Sequence, residues 1–203
     1  MIENSQRLNL SLSERNDAKQ TPLILACQLN KPKIVHAILC QAKEQDIAIN
    51  AKDEDGVTAF ILACGLGLTD IVAMMLEMAQ ELKIDLNAKD DLKRTGFICA
   101  CKYKHSEVID LIMAKAESLQ IDLQCKDDEG TSGFDYFPGH FHKEELNLLK
   151  KHIDEKDFDK ALSIKEEFID FQAAFFYAIE EEDDLAIRLI DNSQRLNILL
   201  TET

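Results

Sequence analysis

Three stretches of this chain repeat one pattern at a fixed interval. Thr21–Cys27 reads TPLILAC, Thr58–Cys64 reads TAFILAC and Thr95–Cys101 reads TGFICAC, each starting 37 residues after the last. This period constrains the fold more than any other feature. A short unit cannot bury its own apolar face, so repeated units must stack on one another. A fourth start falls on SGFDYFP at Ser132 and a fifth on IDFQAAF at Ile169. Leu23, Phe60, Phe97, Phe134 and Phe171 hold one position through all five. Ile34-Val35, Ile71-Val72 and Val108-Ile109 correspond, as do INAKDEDG, LNAKDDLK and LQCKDDEG.

Each unit has a physical reading. Thr21 before Pro22 is an N-cap followed by proline at the first helical position. Leu23, Ala26 and Cys27 then share one helical stripe. Ile34, Val35, Ile38, Leu39 and Ala42 give a second helix with a broad apolar face, and Ser106 reads as its cap in the third unit. The polar AKDEDG segment is a turn between units.

Thr-Pro-Leu or Thr-x-Phe, then Ala-Cys, Ile-Val, and a closing Asp-x-x-Gly together resemble the ankyrin repeat. That family's unit is about 33 residues. The extra four fall within MLEMAQELKIDLN and amount to about one added turn on the second helix. The resemblance is close over residues 16–124 and looser over 125–203. It implies an all-α solenoid of stacked helix-turn-helix repeats with short β-hairpin-like turns between units. One domain is expected over 1–203: a partial unit at 1–20, regular units at 21–57, 58–94 and 95–131, a degenerate unit at 132–168 and a capping unit at 169–203.

The pattern weakens toward the end. Pro138 replaces the cysteine of the fourth first helix, and proline inside a helix costs about 3 kcal/mol, so that helix is expected to stop early. Where a fifth hairpin is due, 161–167 reads ALSIKEE and looks helical. Ten of the thirteen Phe and Tyr residues lie between Phe134 and Tyr177, which reads as a larger local core rather than an exposed groove. NSQRLN occurs at both Asn4–Asn9 and Asn192–Asn197. Both copies suit the end of a second helix, which raises the options of a longer array or end-to-end self-association.

Charge excludes some partners. With 38 acidic against 23 basic residues the net charge is −15, which argues against nucleic acid or an anionic membrane. No apolar run approaches the ~20 residues of a membrane span, and the N-terminus has no basic-then-apolar signal. Membrane insertion is not expected. Cys27, Cys64 and Cys101, one per unit, read as core rather than as metal ligands, and a reduced cytoplasm is the expected compartment, of the producing cell or of a host. AKDEDG lacks carboxylates at both ends of a calcium loop. Gly65 and Gly67 do not complete a dinucleotide fingerprint, and His140 and His142 with Asp135 are weak metal candidates. No metal, cofactor or catalytic set is expected.

The third unit is locally basic, with Lys89, Lys93, Arg94, Lys102 and Lys104 against Asp90 and Asp91. The ankyrin resemblance implies that a protein partner sits on the concave side, built from hairpin tips and first-helix faces. Carried onto this chain, that surface is Lys89, Leu92, Arg94, Lys102 and Tyr103 in the third unit, with Lys52, Asp55 and Leu66 in the second. Lys93 stands where the family carries glycine. The expected function is a non-catalytic interaction module or scaffold. The alternative is the targeting part of a larger enzyme or secreted bacterial effector acting on host proteins. A weaker option is a small-molecule pocket within 134–177. An Arg94→Glu, Tyr103→Ala pair is expected to cut binding while sparing stability.

Overall fold

A computed structural model of the chain describes residues 11–45 and 47–137. The chain divides into two compact units, 1–136 and 137–203, so the described residues up to Tyr136 belong to the first. The fifth repeat, most of the aromatic-rich region, Pro138 and both NSQRLN copies lie outside the described residues.

Seven helices follow in order among the described residues: α1 Pro22–Gln28, α2 Pro32–Ala42, α3 Ala59–Gly65, α4 Thr69–Leu82, α5 Gly96–Lys102, α6 Ser106–Leu119 and α7 Gly133–Tyr136. The odd-numbered helices start identically. Thr21, Thr58 and Thr95 sit in extended backbone, and each hydroxyl accepts the amide of the third helical residue, Ile24, Ile61 or Ile98, at 3.3 Å. The three threonines are buried, so each cap satisfies a donor that water cannot reach. Ser132 caps α7 the same way at 3.3 Å, and Asp135 closes a capping box by accepting the Ser132 amide and hydroxyl at 2.8 and 2.7 Å. That last helix is four residues long where its predecessors have seven.

The even helices carry the added turn. α4 and α6 run 14 residues each, and α2 stops at 11. Ser106 does not cap α6, contrary to the sequence reading. The cap is His105, whose side chain makes no capping bond, and Ser106 is the first helical residue. The preceding turn explains this. Lys104 takes φ +58° and the His105 amide donates to the Ala100 carbonyl at 2.9 Å, which closes the turn one residue earlier.

Helices stack like on like. α1 packs on α3, α3 on α5 and α5 on α7, while α2 packs on α4 and α4 on α6. The core is the set of repeated positions, among them Leu23, Phe60 and Phe97, Cys27, Cys64 and Cys101, and Val35, Val72 and Ile109. Burial pushes the Cys27 and Cys101 thiols up to about 12 and Cys99 up to about 11, and raises Cys64 well above its ordinary value. These four are inert packing groups at neutral pH.

Candidate functional site

The segments between units are hairpins built around one acidic side chain. Asp53 Oδ1 accepts the amides of Asp55 and Val57, Asp90 Oδ1 those of Leu92 and Arg94, and Asp127 Oδ1 those of Glu129 and Thr131, all at 2.8–3.1 Å. In each hairpin the same aspartate's amide donates to the carbonyl four residues on, Val57, Arg94 or Thr131. Asn16 begins the series, with its Oδ1 accepting the Gln20 amide at 2.9 Å. The fourth residue of each turn has positive φ: Lys19 +55°, Gly56 +74°, Lys93 +60° and Gly130 +81°. Lys93 therefore adopts the family's glycine geometry rather than disrupting it. Neighbouring tips are tied by Asp91 N–H to Asp55 O and Asp128 N–H to Leu92 O, both 3.0 Å.

This lattice fixes what each predicted surface residue can offer. Lys52, Asp55, Leu66, Lys89, Leu92 and Tyr103 are exposed, and Arg94 and Lys102 are half-buried. Lys52 Nζ donates to the Lys89 carbonyl at 2.7 Å, bridging two hairpins. Arg94 is held by Asp90, whose Oδ2 accepts from Nε at 2.7 Å and pairs with Nη2 at 2.7 Å. The Asp90 side chain is almost wholly buried, so Arg94 is the counter-charge that makes this burial tolerable. In the next hairpin a neutral donor stands in that place, the Tyr136 hydroxyl donating to Asp127 Oδ2 at 2.6 Å. Lys102 Nζ lies 3.4 Å from the same hydroxyl and 5.0 Å from the ring centroid. That hydrogen bond from Lys102, ahead of the small cost of burial, raises the ammonium's pKa.

Leu66, Tyr103 and Leu92 are different: they expose apolar area that the fold does not use. At the C-cap that follows each seven-residue helix, Leu29, Leu66 and Tyr103 are 57%, 47% and 52% exposed. Sequence reasoning named two of these and missed Leu29, although the 37-residue spacing points to it directly. Leu25 on α1 is also exposed. Of seven exposed large hydrophobic side chains among the described residues, five lie on first helices, their C-caps or hairpins, and Ile34 and Met113 lie on second helices.

Two further features went unassigned in the sequence, although Asn50 and Asn87 fall within the corresponding stretches INAKDEDG and LNAKDDLK. Asn50 and Asn87 form an amide ladder along the opposite edge. Asn50 Nδ2 donates to Lys83 O and its Oδ1 accepts the Asp85 amide, while Asn87 does the same with Gln120 O and Asp122 N–H, at 2.8–2.9 Å. Ser13 holds the equivalent place at the start, its hydroxyl accepting the Ala48 amide at 3.1 Å. His105 Nε2 lies 3.0 Å from the Gly65 carbonyl and bonds it as donor, a link from the third unit to the second. No group of His, Cys, Asp and Glu able to hold a metal occurs among the described residues.

Helix pairs stacked like on like and joined by aspartate-centred hairpins define a helical repeat architecture among the described residues. The family model for ankyrin repeats (3 copies) matches residues 3–90, so that part of the chain is similar to ankyrin repeats. The same hairpin and cap geometry continues beyond residue 90 to Ser132. No curated protein matches the chain. Ankyrin repeats are typically non-catalytic modules of protein–protein interaction. Among the described residues no helix is long and apolar enough to cross a membrane.

Proposed function

We propose that the chain is a protein-recognition module, its repeats forming a solenoid whose concave side receives a protein partner. The observation that carries this is the column of Leu29, Leu66 and Tyr103, a large apolar side chain bared at the same place in three successive units. Exposed apolar area repeated across successive units costs solubility and is retained where a partner covers it. Leu92 on the neighbouring hairpin extends the surface, with Lys52, Asp55, Lys89 and Lys102 as its polar rim. Arg94 belongs to the rim's scaffold, since its guanidinium is committed to Asp90. Tyrosine and arginine dominate many interfaces, and of Arg94 and Tyr103 it is Tyr103 that is available for that role.

Affinity capture with the intact chain tests the reading. A Leu66→Ser, Tyr103→Ser variant should lose a partner that a Met113→Ser variant, altered on α6, retains. A partner lost equally from both, or retained by both, would overturn the assignment. Turnover of any substrate that survives repurification and is abolished by one point change would overturn the non-catalytic part.

A further inference from the structure

We propose that His105 is a positioning residue for partner recognition: it clasps the turn that carries Leu66, so that Leu66 and Tyr103 meet a partner as one preformed pair at the junction of the second and third units. The inference rests on the reading of this face as the docking surface and adds which part of it is held rigid and by what.

The clasp has two parts. Gly65 ends α3, and a carbonyl at a helix end has no partner within its own helix. His105 Nε2 reaches that carbonyl from the next unit at 3.0 Å. A carbonyl only accepts, so this ring nitrogen carries the proton. The imidazole also lies against Gly67, which holds φ +66°. A Cβ there would stand 2.5 Å from Nδ1 and 2.8 Å from Cγ and Cε1, so the ring occupies the space a side chain would need. Tyr103 leans on the same turn: a Cβ on Gly65 would lie 3.8 Å from two atoms of its ring. The Tyr103 and His105 rings stand 6.4 Å apart, tilted by 40°. Leu66 thus sits between two glycines, one met by Tyr103 and the other by His105, both from the third unit.

The junction of the first and second units is built otherwise. Asn30 and Leu68 stand where Gly67 and His105 stand in the next one. Leucine has no side-chain N–H to offer the carbonyl of Gln28, which ends α1. Asn30, at φ +47°, brings a side chain to the place the ring would fill. Leu29 therefore has no clasp of this kind behind it. Holding a side chain in place before docking removes the cost of ordering it on binding, and a few side chains carry most of the energy of an interface. Leu66 and Tyr103 are the anchor, and Leu29 is an accessory contact.

Two measurements on the full chain test the role. The first needs no partner. His105→Ala should speed amide exchange at Leu66 and Gly67 about threefold to tenfold, the equivalent of one hydrogen bond. His105→Gln, which places an N–H at similar reach, should restore most of the protection. Exchange at these amides unchanged in His105→Ala would overturn the clasp. For the second, a phage-displayed library of random peptides is panned on the chain. Binders lost on Leu66→Ser with Tyr103→Ser depend on the face. These should bind His105→Ala about threefold to tenfold more weakly, recover with His105→Gln, and suffer less from Leu29→Ser than from Leu66→Ser. Gly96→Ala, strained at the same junction but at the far end of α5 from Tyr103, should bind them as the unaltered chain does, which separates positioning from loss of stability. Affinity unchanged in His105→Ala, or weakened equally in Gly96→Ala, would overturn the positioning role and keep the face. A library yielding no face-dependent binder would overturn the docking reading and the role with it, leaving the clasp as packing alone.

Discussion

Gly96 opens α5 where a side chain has no room. A Cβ there would lie 2.8 Å from the Phe60 ring and 3.0 Å from Cys64 Sγ. Gly133 stands to Phe97 and Cys101 in the same way, at 2.6 and 3.1 Å. Where the repeat carries the smaller Leu23, the next unit starts with Ala59 instead. The pair is a matched volume, so Gly96→Ala should destabilise by about 1–2 kcal/mol: overpacking costs roughly 1–3, and alanine's helix propensity returns somewhat under 1. Phe60→Leu on that background should restore part of the loss, and a urea double-mutant cycle measures the coupling; a zero coupling term would mean the two do not share the space. Arg94→Glu should cost about 2–3 kcal/mol by stranding the buried Asp90 carboxylate beside a like charge. The Arg94→Glu, Tyr103→Ala pair expected from sequence to spare stability is therefore expected here to lower it, and Tyr103 alone is the clean probe of binding. Asp127 adds a pH dependence. Burial alone would raise its carboxyl, but hydrogen bonds from Tyr136, Thr131 and Glu129 outweigh that and hold it below the ordinary value. A depressed carboxylate contributes stability above its unfolded value near 4 and loses it as pH falls toward the folded value. Stability should drop as pH falls below about 4, and Tyr136→Phe should reduce the drop. Urea midpoints of both proteins at pH 7 and pH 3 give the comparison, and identical losses would remove Tyr136 from the account.

Hairpins show how one position can tolerate different residues in successive units. Gly56 and Lys93 both sit at positive φ, closing the same turn. A Cβ on Gly56 would meet the Asp91 amide nitrogen at 2.9 Å, backbone that cannot step aside. The left-handed conformation costs a non-glycine residue about 1 kcal/mol. Lys93→Gly should therefore stabilise the chain by up to about 1 kcal/mol, whereas Gly56→Ala should destabilise it by more than that. Thermal melts of the two variants should move in opposite directions, and a shift of the same sign in both would show that φ does not control this turn. These elements were largely legible beforehand, because the threonine caps and apolar stripes carry a local signal that repeats three times, and the Asp-x-x-Gly turn one that repeats twice, with Lys93 in the glycine's place between them. The Ser106 cap was misread because a left-handed residue before a helix leaves no sequence mark when it is lysine. The Arg94 pairing was misread for a related reason: a basic residue four positions from an acidic one looks the same whether it faces water or a buried carboxylate. The column of exposed side chains was only half legible, since periodicity marks equivalent positions without saying which are covered.

Stacking makes the first compact unit of the molecule a chain of nearest neighbours, and its ends differ from its middle. Ile34 is 45% exposed, while its equivalents Ile71 and Val108 are each 1% exposed. The side chain is the same or nearly so; the second and third units each have a described helix pair before them, and among the described residues the first has none. A buried isoleucine contributes roughly 1.5–3 kcal/mol over an exposed one, so the helix pair α1–α2 is held by less apolar burial than α3–α4 or α5–α6. In arrays whose stability is the sum of unit and interface terms, the unit with the weaker interface opens first. Native-state hydrogen exchange should therefore find α1 and α2 amides opening below the free energy of global unfolding, with α3 and α5 the best protected. Lys43–Glu81, an ion pair of 2.7 Å between residues about half exposed, does not offset the deficit, because such pairs are worth at most about 1 kcal/mol. Ile34→Ala sharpens the test: it should lower stability by well under 1 kcal/mol, whereas Ile71→Ala should cost about 2–5. Equal costs at the two positions, or uniform exchange across the three helix pairs, would show that the first pair is covered in solution and that cooperativity extends through all of them.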